Sequence, residues 1–107
     1  YSMKPRKLYD LYKDLIKEEY NELITARDDT EEIKEVIDLI VVSTGMLLFY
    51  MDTPEKAQKA WNLVHATNMA KAEAGQKRED GKVIQHDEYK KVLKAKLMAD
   101  LRELMNE

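Results

Sequence analysis

The sequence contains no cysteine and few of the residues that make turns, with 3 glycines and 2 prolines among 107 residues. The absence of cysteine excludes a disulfide scaffold, a thiolate metal site and a cysteine nucleophile. β-Sandwiches, barrels and propellers need a turn signal about every 8–12 residues, so all three are disfavoured. No apolar run reaches the roughly 18 residues of a membrane span, and no signal-peptide pattern is seen. We therefore expect a cytoplasmic all-α protein with no membrane partner.

Charged residues are abundant but nearly balanced, with 18 Lys and Arg against 21 Asp and Glu and a net charge of −3. A mildly acidic chain is poorly suited to binding the phosphate backbone, so no nucleic acid polymer is expected as a partner. The length allows one hydrophobic core and predicts a single domain over residues 1–107. Residues 1–4 are expected to be disordered or derived from the expression vector, because Tyr1 and Ser2 precede Met3.

Capping residues and apolar spacing predict four helices. The first is expected over residues 5–27, the second from just after Asp29 to about Tyr50, the third from Pro54 with Thr53 as N-cap to about Gly75, and the fourth from Asp87 onward. The long irregular stretch is expected at residues 76–86. The other connections are short, which favours antiparallel neighbours in a four-helix bundle-like fold.

The second predicted helix is apolar on nearly all sides between Val36 and Phe49. A surface helix needs only one apolar stripe, so this helix belongs at the centre of a molecule or between subunits. A chain of this length has too few other residues to cover it alone. The sequence therefore predicts a homodimer or homotetramer.

Acidic residues lie on the apolar faces of the first two predicted helices. At 100° per residue, Glu19 falls in the middle of the first apolar stripe and Glu22 at its edge, while Glu35 and Asp38 share one side of the second helix. Lys34 is the one basic residue in that segment. Oxygen ligands without His or Cys suit Mg²⁺, with Mn²⁺ as a substitute. From the spacing alone, a shared cation and chance placement both stay open.

The run LIKEEYNE at residues 15–22, followed by EEIKEVID at residues 31–38, resembles the ExxE…ExxD signature of the all-α nucleoside triphosphate pyrophosphohydrolases. The stretch from Ala60 to Val83, with Asn-x-x-Lys and Asp-Gly-Lys in order, is similar to the small MazG-like members of that superfamily. The resemblance covers roughly Leu8 to Tyr89 and implies a MazG-type fold.

The resemblance also implies Mg²⁺-dependent hydrolysis of a nucleoside triphosphate to the monophosphate and pyrophosphate, with a role in nucleotide-pool house-cleaning. By position, the metal-site residues would be Glu19, Glu22, Glu35 and Asp38. A carboxylate that the metal does not fully use could take the proton of the attacking water. Glu22 and Glu18 are both candidates for this catalytic role, and Glu18 could equally be a solvated surface residue.

The substrate-binding residues implied by the resemblance are Asn68, Lys71, Asp80 and Lys82, to which Trp61 is added as a residue that could stack on a base. Each has a simpler alternative: Trp61 could belong to the core, the basic loop could be solvated surface, and Asp80 with Gly81 could only form a turn. The alternative for the whole protein is a non-catalytic helical oligomerisation or adaptor module.

Overall fold

The computed structural model describes residues 6–79 and 86–107, with side chains described over 6–73 and 87–107. The described residues form four helices: α1 (Arg6–Ile24), α2 (Asp29–Met51), α3 (Pro54–Glu79) and α4 (His86–Met105). No strand occurs in these two ranges. The all-α prediction is confirmed.

The four helices pair within two compact units, residues 1–52 and residues 53–107. The first unit contains α1 and α2, and the second contains α3 and α4. The expectation of a single domain stays a prediction.

An aromatic cluster joins the beginning of α1 to the end of α2. The ring of Tyr9, which is 2% exposed, stacks on Tyr50 at 4.4 Å and meets Phe49 edge-on at 5.0 Å. Tyr12 packs against Phe49 with ring centroids 5.5 Å apart. Because residues near the start of α1 contact residues near the end of α2, the two helices run antiparallel. Aromatic pairs at these separations stabilise the hairpin beyond their buried area.

The second unit is an antiparallel hairpin of α3 and α4. Its buried residues are Ala57, Ala60 and Leu104. At one end, Lys56 Nζ donates to the Glu107 carbonyl oxygen at 2.6 Å.

Helix ends follow local capping chemistry, and four of the predicted bounds are corrected. The first is the end of α1, which lies at Ile24 and not at residue 27. The N-cap of α2 is Asp28, whose side chain accepts from the Glu31 backbone N–H at 2.8 Å, so α2 begins at Asp29 itself. The N-cap of α3 is Thr53, as predicted, accepting from the Lys56 N–H at 3.2 Å. However, α3 continues through Gly75 to Glu79, and α4 begins at His86. A glycine costs a helix only about 1 kcal/mol, which neighbouring helix formers offset.

The face of α2 opposite to α1 is exposed and aliphatic. Its members are 38–62% exposed: Ile33, Val36, Ile37, Ile40, Val41 and Leu48. Among the described residues, no single helix is long and apolar enough to cross a membrane, and α2 reaches that length and composition only when combined with Pro54–Glu73.

Candidate metal centre

Three glutamates of the first unit converge near the loop between α1 and α2. Glu19 and Glu22 lie one turn apart on α1, so both side chains point to the same side, and Glu35 faces them from α2. One carboxylate oxygen from each residue lies within 4.8 Å of the other two. The structure thus brings together three of the four predicted metal-site residues.

Burial makes this cluster electrostatically costly. Glu35 is 6% exposed and Glu19 is half-buried. Glu19 Oε2 and Glu35 Oε2 are both buried without a hydrogen-bond partner in the described part of the chain. A buried carboxylate oxygen without a donor costs several kcal/mol in principle, so a cation or a proton is needed at this position.

Glu22 is the exposed member of the cluster, and Glu19 and Glu35 raise its pKa. A hydrogen bond shared with Glu35, followed by the charge of Glu19, raises the pKa of Glu22 from 4.5 to about 7. When all three carboxylates are ionised they have no proton to donate to one another. Protonation of Glu22 supplies one donor, which explains why its protonated form is favoured.

Asp38, the fourth predicted metal-site residue, is bound to a lysine. Lys34 Nζ lies 2.9 Å from Asp38 Oδ2 and 3.1 Å from Glu35 Oε1. The two carboxylates hold the pKa of Lys34 well above its usual range, Asp38 contributing more than Glu35. Lys34 therefore stays charged beside the cluster across the physiological range.

The donor set fits a hard divalent cation. It consists of carboxylate oxygens only, which are the ligands that Mg²⁺ and Mn²⁺ take from proteins. The two buried oxygens without a donor among the described residues require either a cation or a proton at this position. With Glu19, Glu22, Glu35 and Asp38 ionised beside Lys34, the local charge is −3, and one divalent ion would neutralise two of these three charges.

The other predicted site residues are distributed over α1, α3 and the undescribed stretch. Glu18 is exposed on α1. On α3 of the second unit, Asn68 is exposed and Lys71 is half-buried. Trp61 is 62% exposed, which removes the core interpretation of this residue. Asp80 and Lys82 lie outside the described residues.

A separate groove follows the α3–α4 hairpin. It has a volume of about 420 Å³, a floor that includes Leu63 and Leu104, and charged walls that include Lys59 and Asp100. A second cavity of about 230 Å³ shares Leu63 and Asp100 with it. Neither cavity is lined by a predicted substrate-binding residue.

Lys34 lies beside the acidic cluster, and the sequence analysis assigned it no role. Its spacing of four residues from Asp38 is an ion-pair signal on a helix. Lysine–aspartate pairs with this spacing are common on helices. This lysine differs because it also binds Glu35, which lies beside the two glutamates of α1. Comparisons of the chain with protein-family models, with curated proteins and with solved structures gave no match.

Proposed function

We propose that this protein is a Mg²⁺-dependent nucleotide pyrophosphohydrolase of the MazG-like type. The observation that carries the proposal is the convergence of Glu19, Glu22 and Glu35 from two helices, with two buried oxygens that have no donor in the described residues. The ExxE and ExxD spacing predicts these three residues together with Asp38. Within this proposal the protein acts in the cytoplasm on (deoxy)nucleoside triphosphates and limits unwanted ones.

The roles of the three glutamates follow from their burial. Glu19 and Glu35 are the more buried pair and would hold the ion, with Glu22 completing the set. Mg²⁺ in such a site neutralises charge on phosphate oxygens and makes nearby water more acidic. Glu22 reaches solvent, so its carboxylate is placed to accept a proton from water. Glu18 does not belong to the cluster, and we assign the base to Glu22.

The proposed reaction is the hydrolysis of a phosphoric anhydride bond. A water oxygen forms a bond to the α-phosphorus, and the bond from that phosphorus to the oxygen bridging to the β-phosphate breaks. Pyrophosphate leaves and the nucleoside monophosphate remains. One proton of the water passes to Glu22, and the other stays on the oxygen that has joined the α-phosphorus. The substrate-binding residues carried by the same proposal are Asn68, Lys71, Asp80, Lys82 and Trp61.

The test is pyrophosphate release from a panel of nucleoside triphosphates that includes dUTP and dCTP, with Mg²⁺. Glu35→Gln and Glu22→Gln are expected to lower turnover by at least about 100-fold, because each removes a charge from the cluster. Glu18→Gln is expected to keep most of the activity. Glu32→Gln, on the exposed first turn of α2, is the matched control for loss of one acid. Absence of release with every nucleotide would overturn the enzyme proposal.

We also propose that the chain forms a homodimer or homotetramer through the exposed face of α2. The six aliphatic side chains there leave on the order of 500 Å² uncovered, which is near the upper end for a monomer. Val41→Glu is expected to lower the molar mass measured by light scattering. Val92→Glu on α4 is the control, because the two valines are 62% and 66% exposed. A wild-type mass of 12.6 kDa would contradict the assembly.

The same α2 face favours a second candidate, a non-catalytic helical oligomerisation or adaptor module. In that case the acidic cluster has no ligand, and Mg²⁺ would leave the melting temperature unchanged. Added Mg²⁺ raises the melting temperature under the enzyme proposal, since an ion that binds only the folded state stabilises it. Melting curves with and without Mg²⁺ therefore separate the two candidates.

A further inference from the structure

The exposed aliphatic face of α2 contains a regular line of side chains. Ile33, Ile37, Ile40 and Thr44 follow one another at steps of four, three and four residues, and all four are exposed. Such steps bring side chains into one line along a helix, which is the pattern of a surface that packs against another helix. We call this line the α2 seam, and its shape fits a helix as the occupant.

The face around the seam is large enough to pack on a second copy of itself. Its six aliphatic side chains leave on the order of 500 Å² uncovered, so two copies packed face to face would bury about 1,000 Å² in total. That area is close to the lower limit for a specific interface between proteins. A two-fold arrangement needs no other partner, because each copy presents the same seam to the other.

The acidic residues of this face lie at one end of it. Asp29 and Glu32 line a groove of about 460 Å³ at the N-terminal end of α2, beside Ile33. Residues 39–51 contain no charged side chain, and Asp52 follows the last residue of the helix. A parallel pair would bring the groove acids of both copies together, which costs free energy. An antiparallel pair separates the two grooves by the length of the seam and brings only Asp52 near each of them.

We propose that α2 packs antiparallel on α2 of a second copy, with the two-fold axis beside Ile40 and Val41. The inference rests on the proposed assembly and refines it, because it fixes the orientation and the register of the two helices. The exposed aliphatic face runs from Ile33 to Leu48, and its midpoint lies between Ile40 and Val41. In this register Ile33 of one copy faces Leu48 of the other, and the uncharged half of each helix covers the half that begins at the groove.

The test uses single cysteines, which give no background because the chain has none. Ile33→Cys and an affinity-tagged Leu48→Cys are refolded together, and a short bismaleimide is expected to give the mixed cross-linked dimer. Either variant alone is expected to give little cross-linked product, because its two cysteines would lie about 22 Å apart along the helices. Ile40→Cys, beside the axis, is expected to cross-link with itself.

The matched control is Leu11→Cys on α1, at a side chain that is 52% exposed in the same unit. It measures the cross-links that form by chance collision and is expected to give no more than the background. Circular dichroism melting of each variant before cross-linking shows that the compared proteins are folded. Light scattering of the same samples gives the mass of the assembly without relying on the cysteines.

Three results would overturn the arrangement. Cross-linking of Ile33→Cys with itself at the yield of the mixture would show a parallel pair. A dimer mass without cross-links through α2 would place the interface on another face. A mass of 12.6 kDa without cross-links would overturn the proposed assembly as well and assign the seam to a different protein. Turnover is independent of these readouts: a chain that cross-links as expected but releases no pyrophosphate would overturn the enzyme and leave the arrangement standing.

Discussion

The ring of Tyr12 on α1 lies directly against Gly45 of α2: a Cβ atom at position 45 would be 3.3 Å from Tyr12 Cε1. This is closer than an ordinary van der Waals contact, so the glycine permits the approach of the aromatic ring. The same ring packs on Phe49 one turn later. A residue that weakens a helix by itself thus serves the packing between α1 and α2.

We predict that Gly45→Ala changes the free energy of unfolding by less than about 1 kcal/mol, because the gain in helix propensity and the contact with Tyr12 oppose each other. Gly45→Val is expected to destabilise by about 1–3 kcal/mol, since a branched side chain cannot fit under the ring. In a Tyr12→Ala background, Gly45→Ala is expected to stabilise by about 1 kcal/mol. Urea denaturation of the wild type, the two Gly45 variants, Tyr12→Ala and the double variant measures each value. Equal effects of Gly45→Ala in both backgrounds would contradict the contact.

The hydroxyl of Tyr9 is buried without a hydrogen-bond partner among the described residues. Tyr9→Phe is expected to raise the free energy of unfolding by about 1 kcal/mol, because a desolvated hydroxyl is removed while the ring is kept. The stacking on Tyr50 and the Arg6 guanidinium 5.1 Å from the ring centre should both persist. Tyr12→Phe, at a half-buried position, is the control and is expected to have little effect. A clear loss of stability in Tyr9→Phe would show that the hydroxyl has a partner.

The N-terminus of α2 offers two neighbouring aspartates, of which Asp28 is the capping residue. Asp28→Ala is expected to lower the free energy of unfolding by about 1 kcal/mol, since the Glu31 N–H loses its acceptor. Asp29→Ala removes only a favourable charge from the first turn and is expected to cost about half as much. Thermal unfolding of the two variants under identical conditions gives the comparison. A larger loss of stability in Asp29→Ala than in Asp28→Ala would show that Asp29, and not Asp28, is the N-cap of α2.

The raised pKa of Glu22 predicts how the stability of the metal-free protein depends on pH. The pKa of Glu22 in the folded protein is about 7, above the ordinary glutamate value of 4.5 that applies to the unfolded chain. The folded state therefore binds the proton of Glu22 more tightly than the unfolded state does. This contribution to stability is full below about pH 4.5 and is lost as the pH rises through 7. The groups facing Glu22 are the carboxylates of Glu19 and Glu35, with Lys34 bound to the latter.

Melting temperatures in a chelator are therefore expected to fall between pH 5.5 and pH 8. Glu22→Gln is expected to flatten this fall, because its amide cannot ionise. The same slope in wild type and Glu22→Gln would contradict the assignment of the raised pKa to Glu22.

Local sequence signals were sufficient for the helices and for the acidic character of the site. Thr53 and Pro54 predict the start of α3 correctly, since a capping side chain and a fixed φ act within a few residues. Glu19 was placed on an apolar stripe by periodicity alone, and its Oε2 atom is buried. The end of α3 was predicted too early at Gly75, because a glycine permits a helix end without requiring one.

Only the tertiary structure decided which acids act together. Periodicity pairs Glu35 with Asp38, but the antiparallel packing of α1 on α2 brings Glu35 to Glu19 and Glu22, and Lys34 binds Asp38. Distances between helices depend on contacts such as that of Tyr12 with Gly45, which no local pattern encodes. The scarcity of cysteine, glycine and proline determined the class of fold and the oxygen-rich chemistry. The packing of two helices determined which three carboxylates share one position and which one is held by a lysine.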